Sequence, residues 1–340
     1  MLYSGIAWGE AGFEVHVVDA RGETAVPPAT FAQARTPELI EHLRGLPQTP
    51  VVVVESTNGV LDGRLMAAGI EVHRADPAVL PARPRFGSVP ALDLARTGLA
   101  NLAALTRLER ARGTQTGLED VLAAGYAAST EAVNRVTAQG RWFAHGDRDR
   151  PEVALTFDDG PQPPYTDQVL DVLERYGVPA TFFCVGTYAK AYPETLARMV
   201  EQGHTLGNHT WSHPFLPELT RSQLAEQVER TGDAIAEATG TKTTLFRPPY
   251  GSRSPEVVGW LGEMDLTTVL WDVAPDDWQM PGTDFISGTV LDEARAGSIV
   301  LLHDSGGDRS QTVASLSDMI EGLLARDFRF VVVDDLLTTD

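Results

Sequence analysis

Apolar positions follow two rhythms along the chain. From Val153 onward, short apolar runs alternate with longer amphipathic stretches, the pattern of β-α units that build a parallel sheet. Strands are predicted at Val153 to Phe157, Ala180 to Val185, Thr244 to Phe246, Thr267 to Leu270, Ser298 to Leu302 and Phe328 to Val333. Helices are predicted at Tyr165 to Tyr176, Pro193 to Gln202, Arg221 to Ala238, Pro255 to Glu263, Asp284 to Ala296 and Thr312 to Arg326. That many β-α units in about one barrel's worth of residues predict a closed parallel barrel, regular or irregular, over an open sheet. Upstream, Phe13 to Val18 alternates and runs into the turn Asp19-Ala20-Arg21-Gly22, a hairpin signal. Val51 to Val54 is apolar throughout and reads as a central strand ending at Glu55. A helix over Val60 to Ala68, a stop at Gly69 and a short strand over Ile70 to His73 complete a β-α-β order. Pro77 to Pro90 reads as a loop, while Ala91 to Arg112 and Leu118 to Gln139 carry helical periodicity.

Length and charge narrow the picture. A chain of 340 residues is long for one domain and comfortable for two. The polar stretch Arg141 to Arg150 directly precedes the Val153 strand, so an α/β domain over 1–145 and a barrel over 146–340 are expected. No apolar run is long enough to cross a bilayer, and the N-terminal stretch carries acid where a signal peptide carries base. A cytoplasmic location is therefore expected. The net charge of −20 opposes binding to nucleic acid or an anionic membrane. Cys184, the only cysteine, excludes an internal disulfide and sits in an apolar run as a small hydrophobe.

Chemistry gathers at the predicted strand ends. Val153 to Gly160 closes on Asp158 and Asp159, adjacent carboxylates that repel unless a cation sits between them. Taken alone, this is an ordinary Asx-type turn stopped by glycine. His209 and His213 lie four residues apart, which on a helical turn puts both imidazoles on one side, and Gly203, Gly207 and Pro214 mark a tightly shaped loop around them. With Asp159 they form a two-His, one-carboxylate set that suits zinc or another first-row ion and leaves positions open for water and substrate. His204, on the same loop, is read as structural. Two prolines stiffen Arg247-Pro248-Pro249-Tyr250-Gly251, fixing Arg247 and the Tyr250 amide. The stretch from Trp271-Asp272 to Asp276-Asp277-Trp278 offers acids beside a tryptophan, equally suited to a substrate wall or a core edge. His303 ends a buried strand and is a general-acid candidate, although such a histidine is more often structural.

In order, TFDDG, HTWSH, RPPYG, DDW and LLHD resemble the polysaccharide deacetylase family, the NodB-homology domain, over about Pro151 to Leu337. The resemblance implies a distorted (β/α) barrel and metal-dependent hydrolysis of N-acetyl groups on amino sugars. It assigns Asp159, His209 and His213 as metal ligands and Asp158 as catalytic base. Arg247 would orient Asp158, the Tyr250 amide would meet the oxyanion, and His303 would act as acid tuned by Asp277. Trp278 and Leu301 would wall the acetyl groove. The ion is expected to be Zn2+, with Co2+, Ni2+ or Mn2+ as alternatives. The expected substrate is an N-acetylated carbohydrate or similar small N-acyl compound.

A second resemblance covers roughly the first third of the chain. YSGIAWGEAGFEVHVVDARG, VVVVESTNGVLDGRLMAAGIEV and ALDLARTGLA are similar to the N-terminal domain of a class of bacterial insertion-sequence transposases, an RNase H-like (RuvC-like) fold. That family's first metal-binding aspartate falls at Ala7, while Glu55 and Asp93 match later acids. The resemblance implies a retained fold without nuclease activity. The plainer alternative is an unrelated α/β domain whose Glu55 caps a helix. A nucleic-acid-binding or regulatory protein with a non-catalytic barrel is the competing functional reading. A third has the N-terminal half shielding the barrel mouth or joining two chains as a homo-oligomer.

Overall fold

The computed structural model describes residues 1–9, 12–32, 35–55, 59–75, 79–81, 88–108, 115–306 and 309–338. The chain divides into two compact units, Met1–Ala123 with Ser212–Glu226, and Ala124–Trp211 with Gln227–Asp340.

The first unit is built from β1 (Tyr3–Gly9), β2 (Gly12–Val18), β3 (Thr24–Phe31), α1 (Thr36–Arg44), β4 (Val51–Glu55), α2 (Gly59–Ala67), β5 (Val72–Ala75), α3 (Ala91–Asn101) and β6 (Thr106–Leu108). Its sheet has the order β3-β2-β1-β4-β5-β6. The first three strands run antiparallel, β4 and β5 join β1 in parallel, and β6 is antiparallel to β5. The hairpin forms at Asp19, whose carboxylate accepts from the Arg21 and Glu23 amides at 2.8 and 3.1 Å. β4 is interior and buried along its length, which explains its unbroken run of valines. Ala7 packs with Val53, Ala75, Val89, Ala91 and Leu94 in one apolar cluster.

One expectation for this half changes. The helix expected over Ala91 to Arg112 ends at Asn101, and Thr106–Leu108 leaves it to extend the sheet edge beside β5. The Glu55 carboxylate accepts from the Ser88 hydroxyl at 2.8 Å and the Val89 amide at 3.3 Å. Most of the expected loop from Pro77 to Pro90 lies outside the described residues.

Onward from α4 (Gln115–Ala128), within which the division between units falls, the chain forms α5 (Thr130–Ala138), β7 (Trp142–Phe143), β8 (Glu152–Asp158), α6 (Tyr165–Tyr176), β9 (Thr181–Cys184), α7 (Gly186–Ala191), α8 (Pro193–Glu201) and β10 (Thr205–Asn208). It continues through α9 (Arg221–Thr239), β11 (Leu245–Phe246), α10 (Pro255–Glu263), β12 (Thr267–Val269), α11 (Thr283–Glu293), β13 (Ser298–His303), α12 (Ser310–Leu324), β14 (Arg329–Phe330) and α13 (Val333–Leu337). The order is β13-β8-β9-β10-β11-β12-β7, with β14 added on β8 below the reach of β9. All these pairs are parallel. Ala154, Phe183, Leu245, Val269, Ile299 and Val331 contribute to one core cluster.

The sheet curls but does not close into the expected full barrel. Among the described residues an isolated bridge, Val273 to Val300, and no continuous ladder, links the β12 side to β13, and β11, β12 and β7 are only two or three residues long. The strand expected over Phe328 to Val333 stops at Phe330, and Val333 opens α13. Strands β7 and β10 lie outside the predicted set.

α3 lies hard against β1, where a Cβ on Gly5 would stand 1.9 Å from the Ala91 carbonyl oxygen. Gly5→Ala should therefore lower stability by about 1 to 3 kcal/mol through overpacking. Equilibrium urea unfolding followed in the first unit checks this, and an unchanged midpoint would contradict the close packing.

Candidate active site

Parallel register gathers the chemistry at one edge of the second sheet. β8 lies between β13 and β9, with Asp158 opposite His303 on one side and Phe183 on the other. β10 lies between β9 and β11, with Asn208 opposite Cys184 and Phe246. His209 and Arg247 are therefore the first residues past two neighbouring strands. The Arg247 amide donates to the Asn208 carbonyl at 3.0 Å and the His209 amide to the Cys184 carbonyl at 3.0 Å.

Left-handed backbone turns the chain into the site. Asp159 (φ 79°), Thr210 (φ 68°), His213 (φ 59°) and Tyr250 (φ 60°) all occupy this region, which disfavours residues with a Cβ. At Asp159 the reversal brings both adjacent carboxylates to the same side. The two histidines do not sit on the expected helical turn: residues 209–213 form a loop after β10. Within it the Asn208 side chain accepts from the Thr210 amide at 2.9 Å and donates to the Val228 carbonyl at 2.8 Å.

Asp159, His209 and His213 are buried, and one ligand atom from each lies within 4.8 Å of the others. The His209 Nδ1–H donates to the Arg247 carbonyl at 2.7 Å. A carbonyl can only accept, so the His209 lone pair is on Nε2 when the ring is neutral. That atom faces Asp158 Oδ2 at 3.6 Å and Asp159 Oδ1 at 3.7 Å. A nitrogen lone pair between two carboxylates calls for a positive charge among them. Two imidazoles and a carboxylate are the donor chemistry of a first-row divalent ion, and the carbonyl behind His209 is the orienting contact such ligands take. The residues present fit a metal.

Arg247 has no exposure to water. Its guanidinium donates to Asp158 Oδ1 at 2.8 Å, Thr156 Oγ1 at 2.8 Å, the Val269 carbonyl at 3.0 Å and the Leu270 carbonyl at 3.0 Å. Its charge also lies over the Phe183 ring, 4.1 Å from the centroid. Burial pulls its pKa down, and the Asp158 carboxylate works against that shift.

His303 and Asp277 form a second pair. The ring Nδ1 meets Asp277 Oδ1 at 2.7 Å, and the His303 amide donates to Oδ2 at 2.9 Å. The Thr312 hydroxyl donates to the same Oδ2 at 2.7 Å. Burial alone would lower the His303 pKa, yet the Asp277 carboxylate outweighs it and lifts the imidazole above its ordinary value. Burial would likewise raise Asp277, but the His303 charge, aided by Arg309 and Thr312, holds it below the usual carboxylate value. Leu301 is buried on β13, and half-buried Trp278 sits in a short 3-10 turn over Asp277–Gln279. Asp272 serves the frame: it accepts from Arg148 at 2.7 Å, the Ser298 hydroxyl at 3.0 Å and the Ile299 amide at 2.8 Å.

Sequence reasoning passed over Asp304, the residue after His303. It accepts from the Gly160 amide at 3.1 Å and the Thr166 hydroxyl at 2.6 Å, tying the turn after Asp159 to the end of β13. Burial pushes its pKa up to about 7, the Thr166 hydrogen bond opposes this, and the nearby Asp159 adds to the rise. Its place in LLHD was the available signal. Arg309 is also buried, and donates to the Ser305 carbonyl at 2.6 Å and the Trp278 carbonyl at 3.4 Å. His204 is structural as expected, its Nδ1 accepting from the Ala180 amide at 3.1 Å, while burial lowers its pKa to about 4. Cys184 is buried, which pushes its thiol pKa well up.

Comparison with known proteins adds a consistent result. The family model described as polysaccharide deacetylase matches residues 145–269. A chitooligosaccharide deacetylase of Sinorhizobium fredii is 44% identical over 189 residues, covering 52% of this chain and 88% of that relative. A peptidoglycan-N-acetylglucosamine deacetylase of Bacillus cereus is 40% identical over 187 residues, covering 54% of this chain and 87% of that relative. Among solved structures, the Bc1960 peptidoglycan N-acetylglucosamine deacetylase superposes with a TM-score of 0.58 at 32% identity, covering 60% of this chain and 96% of that one.

Removing one partner of a buried ion pair strands the other charge. Arg247→Met should cost about 3 to 5 kcal/mol of stability, and adding Asp158→Asn should recover part of that loss. A double-mutant cycle by denaturant unfolding checks the coupling, and strict additivity would contradict it.

Proposed function

Because the chain belongs to the polysaccharide deacetylase family, we propose that it hydrolyses the N-acetyl amide of an N-acetylated amino sugar or oligosaccharide, releasing acetate and a free amine. The observation that carries this reading is the buried Asp159, His209 and His213 donor set, with a second carboxylate, Asp158, pinned beside it by Arg247. These three ligands would hold one divalent ion, zinc first with cobalt, nickel or manganese as alternatives, and when bound the ion supplies Lewis-acid polarisation and a more acidic water.

Each remaining residue has a task. Asp158 takes a proton from the water that adds to the carbonyl carbon, and Arg247 keeps its other oxygen fixed in the meantime. The Tyr250 backbone N–H meets the carbonyl oxygen as negative charge develops there. His303, kept protonated by Asp277, gives its proton to the nitrogen as the C–N bond breaks, so that a neutral amine departs. Trp278 and Leu301 line the groove for the acetyl methyl group. The names of the relatives, a chitooligosaccharide deacetylase and a peptidoglycan-N-acetylglucosamine deacetylase, support an N-acetylated glycan as the substrate class.

For the N-terminal half we keep the RNase H-like reading, with no nuclease activity. The order β3-β2-β1-β4-β5 supports the resemblance, and the apolar packing of Ala7 supports the loss of a metal site. The functional division near residue 145 draws on the start of the family match, although β7 at Trp142–Phe143 already belongs to the second sheet. Among the described residues no helix is long and apolar enough to cross a membrane.

Metal-loaded protein should release acetate from N-acetylated chitooligosaccharides, and Asp158→Asn should lower kcat by about a hundredfold or more. No acetate across a broad panel of N-acetyl glycosides would end the hydrolase reading. His303 must carry its proton to act, so activity should fall on the alkaline side as pH rises through its raised pKa. Asp277→Asn removes the supporting carboxylate and should move that limb to lower pH. An alkaline limb that stays in place would remove His303 from the role of acid.

A further inference from the structure

Tyr250 holds its left-handed conformation (φ 60°, ψ 7°) in a turn where Gly251 is also left-handed (φ 62°). Pro248 and Pro249 stiffen the approach, and the turn is closed by Gly251 and Ser252 amides donating to the Pro248 and Pro249 carbonyls, each at 2.9 Å. Those bonds leave the Tyr250 carbonyl pointing away from the turn. Its partner comes from α4: the Tyr126 hydroxyl donates to the Tyr250 oxygen at 3.2 Å.

The approach of α4 is specifically fitted. The Tyr126 ring lies against the Arg253 guanidinium, 3.8 Å from the ring centroid. A Cβ on Gly125 would stand 2.5 Å from the Arg253 carbonyl, so only glycine admits the helix this close. A Cβ on Gly251 would stand 2.9 Å from the Tyr126 hydroxyl. Tyr126 precedes residues 145–269, the region that matches the family model.

We propose that Tyr126 is a positioning residue for the deacetylation reaction. The peptide plane joining Tyr250 to Gly251 is held at its nitrogen by Pro248 and at its oxygen by Tyr126. Held at both ends, it cannot swing to let Tyr250 relax out of the left-handed region, and the Tyr250 N–H keeps its direction. A donor fixed in advance toward a developing oxyanion acts on the transition state more than on substrate binding. This inference rests on the role assigned above to the Tyr250 amide.

The test uses full-length Tyr126→Phe, which keeps the ring against Arg253, and full-length Gly125→Ala, which forces the helix off. Loss of one hydrogen bond should speed amide hydrogen exchange at Gly251 and Ser252 by about fivefold in Tyr126→Phe. For chitooligosaccharide deacetylation, kcat should fall by about five- to tenfold with KM within about twofold of wild type. Gly125→Ala should move both readouts in the same direction. Unchanged exchange in Tyr126→Phe, or faster exchange with wild-type kcat, overturns the inference. A wild-type protein that releases no acetate sinks the deacetylase reading itself, and exchange alone then decides whether the clamp exists.

Discussion

The site depends on one cation that has been taken wholly out of water. Arg247 replaces its hydration with a hydroxyl, a carboxylate and two backbone carbonyls, and so joins β8 to the end of β12. Its own carbonyl receives the His209 ring, so a single residue orients both the proposed base and a proposed ligand. A buried charge tolerates little displacement, because each lost partner exposes it to uncompensated desolvation. The two carboxylates of the DDG turn are thereby made unequal: Asp158 is locked by the guanidinium, whereas Asp159 belongs to the imidazole cluster.

Backbone strain is concentrated around that anchor. Asp159, Thr210, His213 and Tyr250 all sit in a region that L-residues avoid, and Thr210 does so despite its branched Cβ. Surrounding structure sustains them: Asn208 braces Thr210, and Asp304 holds the Gly160 amide just beyond Asp159. Such conformations persist where the rest of the fold over-determines them, which suits a site whose groups must be aimed before substrate arrives.

Much of this was legible in the residues. Apolar runs closing on DD, R and HD located strand ends in a parallel sheet, and the helices Tyr165–Tyr176 and Pro255–Glu263 fall where periodicity put them. The parts that were not legible share a cause, since they depend on partners remote in sequence. β10 carries Thr, Gly and Asn and reads as loop until β9 and β11 flank it. Thr106–Leu108 has helical composition, but the free edge of β5 claims it. Histidine spacing alone cannot distinguish a helical turn from a loop with two left-handed residues. Nor could it reveal that Tyr126 would reach a carbonyl far along the chain.

The adjacency of β8 and β13 has a kinetic consequence. Gly160 and Asp304 meet although they are 144 residues apart, and every intervening β-α unit must be threaded before β13 can dock beside β8. Loop closure over that span is paid late, so a chain emerging from the ribosome can pair β8 with β9 long before the histidine of LLHD exists to complete the pocket. The edge that sets His303 opposite Asp158 therefore forms only once β13 has been made and has docked, and Ile299, Val331, Val333 and Leu336 join the core cluster in the same step.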